Sequence, residues 1–303
     1  MKVLVTGGTN GMGKGVAKVL AARDNPAHEV IILCRSKERG EAVLREIESA
    51  SSNSKVSMVL CDLAKLSDVK NAITEIQNSH EYLDGIFINA GLGYAAKRVE
   101  TEDKMDSHFQ VNYLSQFMLV LNLVNLLEKS TAGGRVIFNA TEGGKISWDD
   151  MQMAGKWGYE KAIHQAMAAK RMFLSKLHGL YKSKNSPELT FVGFQIPKTV
   201  WSNQIAIIPP FMRAMATGMK FLGAFISIDE CGEIMAPLFT ESREQSLKKS
   251  GKFITMKNGS FIELNEDADV MNREMQDRLW KISLELCADE KTVQISELLH
   301  KKG

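Results

Sequence analysis

The stretch Val3-Leu4-Val5-Thr6-Gly7-Gly8-Thr9-Asn10-Gly11-Met12-Gly13-Lys14 decides the fold. The apolar β-type run Val3–Thr6 enters a turn with glycines at 7, 11 and 13, and helical spacing follows over Met12–Arg23. The first glycine permits the tight turn, the second lets backbone approach a phosphate, and the third lets the helix pack close to the strand. The helix start then offers free N–H groups and a positive dipole end to a pyrophosphate. A glycine-rich turn alone is a weak sign, but its place between the first strand and the first helix gives it weight. The residues expected to contact a dinucleotide here are Gly7, Thr9, Asn10, Gly11, Met12 and Gly13.

Outward from this turn, short β-like runs alternate with longer helical ones. Strands are expected at Glu29–Cys34, Val56–Cys61, Ile86–Asn89, Arg135–Ala140 and Leu189–Ile196. Helices are expected at Lys37–Ala50, Leu66–Gln77, Asp103–Leu127 and Glu160–Tyr181. Helix, short strand and helix then close the chain at Gly232–Phe239, Lys252–Thr255 and Met271–Leu286. Such alternation predicts an α/β, single-domain Rossmann fold: a doubly wound parallel sheet of about seven strands flanked by helices. Neither a repeat nor a low-complexity linker interrupts residues 1–303, so one domain is expected.

The end of the second strand separates NAD from NADP. A carboxylate there would bind the ribose 2′-OH. This chain has Cys34-Arg35-Ser36 instead, and an arginine with a hydroxyl suits a 2′-phosphate. NADP(H) is therefore the expected cofactor.

Several further motifs fall in order along the chain. They are Thr6–Gly13, Cys61-Asp62-Leu63, Asn89-Ala90-Gly91, His108-Phe109-Gln110-Val111-Asn112-Tyr113-Leu114, Ser250-Gly251-Lys252-Phe253 and Arg278-Leu279-Trp280-Lys281-Ile282-Ser283. Together they resemble the short-chain dehydrogenase/reductase family, in its retinol dehydrogenase-like and protochlorophyllide reductase-like branch. The resemblance implies that Asp62, with Leu63, meets the adenine, and that Asn89, Ala90 and Gly91 stabilise the sheet beside the cofactor. It also makes Asn112 the structural and catalytic asparagine. Pro197 would border the nicotinamide, with Lys198 in place of the glycine that commonly follows.

The family's chemistry uses a serine, a tyrosine and a lysine four residues after the tyrosine. Thr141 falls at the serine and keeps the hydroxyl. The tyrosines are Tyr82, Tyr94, Tyr113, Tyr159 and Tyr181, and none has a lysine four residues on. One helix register places Lys170 at the lysine and Ala166 at the tyrosine; the other places Met167 and Ile163 there. All four share one helical stripe, so periodicity does not choose. Proton transfer needs a titratable group within reach. The candidates are Tyr159, at the helix start, His164, beside the stripe, and Tyr94, in the loop after Asn89-Ala90-Gly91. Asp149 and Asp150 share the active-site loop but read as solvated carboxylates.

Residues 198–242 sit where the family covers its substrate. Trp201, Ile205, Ile207, Ile208, Phe211 and Met215 suggest a greasy pocket wall; the same residues suit a helix on the core or a dimer interface. Ile208, Met212, Met215, Met219 and Leu222 fall on one helical stripe. The implied substrate is a small hydrophobic carbonyl, imine or alkene, reduced with NADPH. Loss of the tyrosine leaves two other readings open: a cofactor-bound non-redox cyclase or isomerase, and a catalytically inactive NADP(H) sensor.

The 303 residues carry a net charge of +2, with bases spread among acids, which gives no reason to expect nucleic acid or an acidic membrane surface. The four cysteines have no metal-ligand spacing to the six histidines, so no metal is expected. Cys34 and Cys61, at the ends of apolar β-like runs, read as buried free thiols, which suits a reducing compartment. With neither a signal-peptide core nor a spanning run, the default is cytoplasmic. Relatives of this kind are often homodimers or homotetramers.

Overall fold

A computed structural model describes residues 1–23, 28–51, 55–182, 189–202, 205, 206 and 208–301. Strands β1 (Lys2–Thr6), β2 (Glu29–Cys34) and β3 (Lys55–Leu60) alternate with helices α1 (Gly11–Ala21), α2 (Lys37–Ala50) and α3 (Leu66–Ser79). After β4 (Gly85–Ile88), α4 (Ser107–Phe109) passes through a π-helical turn, Gln110–Leu114, into α5 (Ser115–Glu128). Then come β5 (Arg135–Asn139), α6 (Tyr159–Lys182) and β6 (Thr190–Gln195). The short pair β7 (Thr199–Val200) and β8 (Phe225–Ile226) brackets α7 (Pro210–Phe221). The chain continues as α8 (Ile228–Thr240), α9 (Arg243–Lys249), β9 (Phe253–Lys257), β10 (Ser260–Glu263), α10 (Ala268–Met271), α11 (Arg273–Cys287) and α12 (Glu290–Lys301).

The main sheet has eight strands in the order β10-β9-β6-β5-β4-β1-β2-β3. All neighbours are parallel except β10 on β9. The order reverses direction at β1, so β1 and β4 diverge to their helices on opposite faces. That switch point is where doubly wound sheets open a ligand crevice at the strand C-termini. Side chains alternate accordingly: Leu4 joins the core layer of α3, α5, α6 and α11, while Val3 and Val5 join that of α1, α2 and α8.

Three features depart from the sequence expectation. The eighth strand, β10, closes an antiparallel hairpin through Asn258 (φ 49°) and Gly259 (φ 76°), an Asn-Gly turn with both residues left-handed. The helix expected from Asp103 begins at Ser107, because the Asp106 carboxylate accepts from the His108 and Phe109 N–H groups and caps it there. Residues after Cys287 form α12, set off by Ala288 in the left-handed region (φ 44°). Cys34, Cys61, Cys231 and Cys287 are free and buried, as expected; burial pushes the Cys61 thiol up to about 12.

Candidate active site

The glycine-rich turn is built around Thr6. Its hydroxyl donates to the Phe87 carbonyl and accepts from the Asn89 and Ala90 N–H groups, at 2.8 and 3.0 Å. Asn89 returns a bond from Nδ2 to the Thr6 carbonyl. Gly7 and Gly11 lie in the left-handed region, at φ 68° and 53°. A Cβ at Gly13 would stand 2.5 Å from the Gly7 oxygen and 2.7 Å from Asn89 Nδ2. Asn10, at the N-cap, makes no side-chain cap bond to α1, and no acid stands in the first turn. The first N–H groups of α1 thus face the turn mouth without a competing anion. Thr9 and Asn10 are half-buried there, and Met12 is buried.

At the end of β2, Arg35 is exposed and pairs with no described residue. Ser36 caps α2: its hydroxyl accepts from the Arg39 N–H at 3.3 Å, leaving its own proton to donate elsewhere. At the end of β3, Asp62 Oδ1 accepts from the Ala64 N–H at 3.0 Å, and Leu63 is anchored by Ser115, which donates to its carbonyl. The turn, Arg35-Ser36 and Asp62-Leu63 lie at the ends of three adjacent strands.

The Asn89-Ala90-Gly91 loop is held from beneath by the π-helical turn. Asn112 accepts from the Leu92 N–H at 2.6 Å and donates to the Leu92 carbonyl at 3.3 Å. Gln116 donates to the Ala90 carbonyl. Both ends of the Asn112 amide are thereby engaged with backbone, so the residue positions the loop. π-turns are frequent at functional sites, and this one aims Asn112 inward.

On the other side stands α6. Thr141, two residues past β5, is half-buried, and its hydroxyl engages no described residue. Arg171 fixes this strand end, donating to the Ala140 and Thr141 carbonyls and pairing with Glu266 at 2.6 Å. Lys170 is buried and forms no hydrogen bond or ion pair with a described residue. Burial alone pushes its ammonium down to about 7. Ala166 and Met167 are buried and Ile163 half-buried along the same stripe. Side chains on a helix tilt toward its N-terminus, so Lys170 leans toward the Met167–Ile163 turn.

Tyr159 and Tyr94, far apart in sequence, stack edge to face at 5.2 Å. His108 meets Tyr159 at 5.9 Å and Trp157 at 6.1 Å. Its Nε2 bonds the Gly93 carbonyl and its Nδ1 is buried without a partner. Burial raises the Tyr159 phenol above its ordinary value. His164 is exposed, its Cβ side packed under Gly144 and its carbonyl accepting from the Gly144 N–H. The structure therefore groups Tyr159 with Tyr94 and leaves His164 on the outer flank of α6. Asp150 spends its carboxylate on the Ala154 and Gly155 N–H groups, which hold it below the usual range; Asp149 is exposed.

The family model for short chain dehydrogenase matches residues 1–169. The chain belongs to the short-chain dehydrogenase family. The curated relatives it matches include polyprenol and retinol dehydrogenases. It is 32% identical to polyprenol dehydrogenase of Danio rerio over 181 residues, 58% of this chain and 54% of that one. It is 31% identical to retinol dehydrogenase 13 of Homo sapiens over 179 residues, covering 58% and 53%. The match thus spans about half the length of these relatives. In fold it resembles the L-sorbose reductase of Gluconobacter frateurii solved with NADPH and L-sorbose, at TM-score 0.65 and 17% identity, covering 85% and 95% of the two chains.

In this short-chain dehydrogenase several site residues escape sequence reading. Arg171 and Gln116 are placed only by tertiary contacts. Asn139, at the end of β5, has a buried Oδ1 with no partner. Pro197 and Lys198 are exposed, and Lys198 Nζ reaches the Gly223 carbonyl at 2.8 Å. Beyond them Trp201 packs on Phe225 at 5.1 Å, Ile205 and Ile208 are half-buried, and Ile207 lies outside the described residues. Phe211 and Met215 point outward, 67% and 63% exposed, so in this arrangement they line no pocket. Among the described residues no helix is long and apolar enough to cross a membrane.

Proposed function

We propose that this short-chain dehydrogenase is an NADP(H)-dependent oxidoreductase acting on a hydrophobic carbonyl, imine or alkene, retinoid- and polyprenoid-like substrates foremost. The observation that carries the reading is the cradle at the sheet's switch point. It combines glycines 7, 11 and 13, an α1 start without a side-chain cap, and an Arg35 at the next strand end that pairs with no described residue. These residues fit a dinucleotide. Gly13 leaves no space for a side chain, the α1 amides suit a pyrophosphate, and Arg35 suits a 2′-phosphate. Asn139 Oδ1, buried and unpaired among the described residues, is an acceptor that a bound ligand could use. Asp62 and Leu63 would flank the adenine, Asn89, Ala90 and Gly91 would floor the site, and Pro197 would border the nicotinamide. A dinucleotide held by these residues would supply the hydride.

The proton must then come from the protein. Thr141 holds the substrate oxygen with its free hydroxyl. Lys170 carries the proton: a buried amine that titrates near 7 gives it up readily, and burial favours the neutral amine that remains. The lysine thereby replaces the missing tyrosine from one turn further along the helix. Tyr159 and Tyr94 wall the mouth, and Asn112 positions the loop opposite. One domain, residues 1–303, does this in the cytoplasm, with 198–242 over the substrate.

The reading is tested by titrating the protein with NADPH and NADH, with Arg35→Asp alongside. Preferential NADPH binding that the substitution weakens is expected. Equal weak binding of both dinucleotides would remove it.

A further inference from the structure

Strand β5 ends at Asn139, and the next N–H, that of Ala140, bonds the Phe194 carbonyl at 3.0 Å. The two carbonyls that follow, of Ala140 and Thr141, both accept from one group, Arg171 Nη1, at 2.6 and 3.2 Å. A carbonyl lies in the plane of its peptide, and the planes carrying these two meet at the Thr141 Cα. Holding both oxygens to one rigid group restrains φ and ψ of Thr141, and with them the direction of the Cα–Cβ bond that carries the hydroxyl. The guanidinium is itself held on its other edge. Nε and Nη2 meet Glu266 Oε2 at 2.7 and 2.6 Å, and the two side chains are 5% and 11% exposed. The Phe253 ring lies 4.2 Å from Cζ, and Glu266 accepts from the Asp267 N–H with its second oxygen. Charge-assisted bonds shielded from water are strong and directional, and a planar fork serves one acid and two carbonyls at once, as an ammonium does not.

We propose that Arg171, backed by Glu266, is a positioning residue of the candidate active site: it aims the Thr141 hydroxyl at the substrate oxygen. The inference rests on the reading of Thr141 given above. In this role Arg171 touches no ligand and acts through Thr141. The Thr141 hydroxyl engages no described residue, so its own bonding does not orient it and the backbone must. Arg171 also follows Lys170 on α6, so the anchor that holds the end of β5 ties that strand end to the helix turn carrying the buried amine. Glu266 lies between β10 and α10, which makes the segment after β10 a support of the site. A pair that served only to pin this segment to α6 would need the carboxylate and not the two carbonyls. The Lys176–Asp277 ion pair already joins α6 to α11.

The test reads two quantities on the full chain: turnover of retinal with NADPH, and amide hydrogen exchange over residues 140–144. Arg171→Lys keeps a cation opposite Glu266 but loses the fork, and its melting midpoint checks that it folds. It should lower kcat about tenfold to a hundredfold, the usual cost of a slight misplacement, while NADPH affinity changes by less than about twofold. In a Thr141→Val background the same change should alter kcat by less than about twofold, because no hydroxyl is left to aim. Exchange over residues 140–144 should quicken about tenfold or more in Arg171→Lys, whether or not the aldehyde turns over. Glu266→Gln, a milder change that keeps an acceptor for the guanidinium, runs the same cycle and should show the same pattern at smaller size. Equal losses of kcat with and without the Thr141 hydroxyl, or unchanged exchange, overturn the proposal and leave the reading of Thr141 standing. Thr141→Val with the full wild-type kcat removes that reading, and the role of Arg171 falls with it.

Discussion

Asn112 grips Leu92 with both ends of its amide, accepting from the N–H at 2.6 Å and donating to the carbonyl at 3.3 Å. This ties the π-helical turn to the Asn89-Ala90-Gly91 loop of the proposed cofactor site. Asn112→Ala leaves two backbone groups of a half-buried loop without partners. Denaturant unfolding should show a loss of about 1–3 kcal/mol, with weaker dinucleotide binding. Asn112→Asp keeps the acceptor and loses the donor, so it should fall between wild type and alanine.

Gly13 has no space for a methyl group. Its Cβ would lie 2.5 Å from the Gly7 oxygen, which is backbone and cannot swing away. Gly13→Ala is expected to cost about 1–3 kcal/mol and to weaken dinucleotide binding. Gly158, with nothing within 4 Å, is the matched control, and Gly158→Ala should leave binding unchanged. Calorimetric titration of both variants separates the crowded glycine from the free one.

Arg35 is exposed and forms no hydrogen bond or ion pair with a described residue, so Arg35→Ala should leave the melting midpoint nearly unchanged. Affinity for NADPH should nevertheless drop about tenfold to a hundredfold, the worth of charge-assisted bonds to a phosphate, while NADH binding changes little. A fall in both affinities by the same factor would place the arginine elsewhere on the dinucleotide.

Lys170 makes stability depend on pH with a defined sign. Its pKa is about 7 in the fold against 10.5 for the free side chain. Between these values the unfolded chain binds more protons than the native one. Stability should therefore rise from pH 7 toward 10.5, by at most about 1.36 kcal/mol per unit from this group. Below pH 7 the ammonium is present in both states and the slope vanishes. Lys170→Met should remove the slope and stabilise the protein at pH 6 by on the order of 2 kcal/mol. If Lys170 delivers the proton, the same variant lowers reductive kcat about a hundredfold, and the wild-type rate falls above pH 7. A variant that gains stability and keeps its rate would assign proton delivery to Tyr159.

Much of the fold was legible because parallel strands, buried on both faces, leave continuous apolar runs, as in Val30–Cys34. The Asn258-Gly259 pair carries a hairpin signal, but the strands that hold Phe253 and Phe261 are too short to show a clear period. The start of α4 turned on one side chain, Asp106, against a helical pattern that ran on to Asp103. For α7 the stripe was correctly placed, but an amphipathic pattern reads the same whether the fold covers the arc or leaves it open. The cofactor turn could be read because its glycines answer a local steric need. The rest of the site could not, since Tyr94 meets Tyr159 and Arg171 meets Ala140 only through the folded chain. Lys170 and Met167 share a stripe and are both buried, so neither periodicity nor burial chooses between the two registers.

The most direct measurement of the proposed chemistry is mass spectrometry of products formed from retinal and a polyprenal with NADPH deuterated at the transferred position. One deuterium on the new carbinol carbon, with matching NADPH oxidation that Thr141→Val and Lys170→Met both suppress, is the predicted result. Tight NADPH binding with no deuterium transferred to either aldehyde would contradict it, and would mark the site as one that holds the dinucleotide without reducing these substrates.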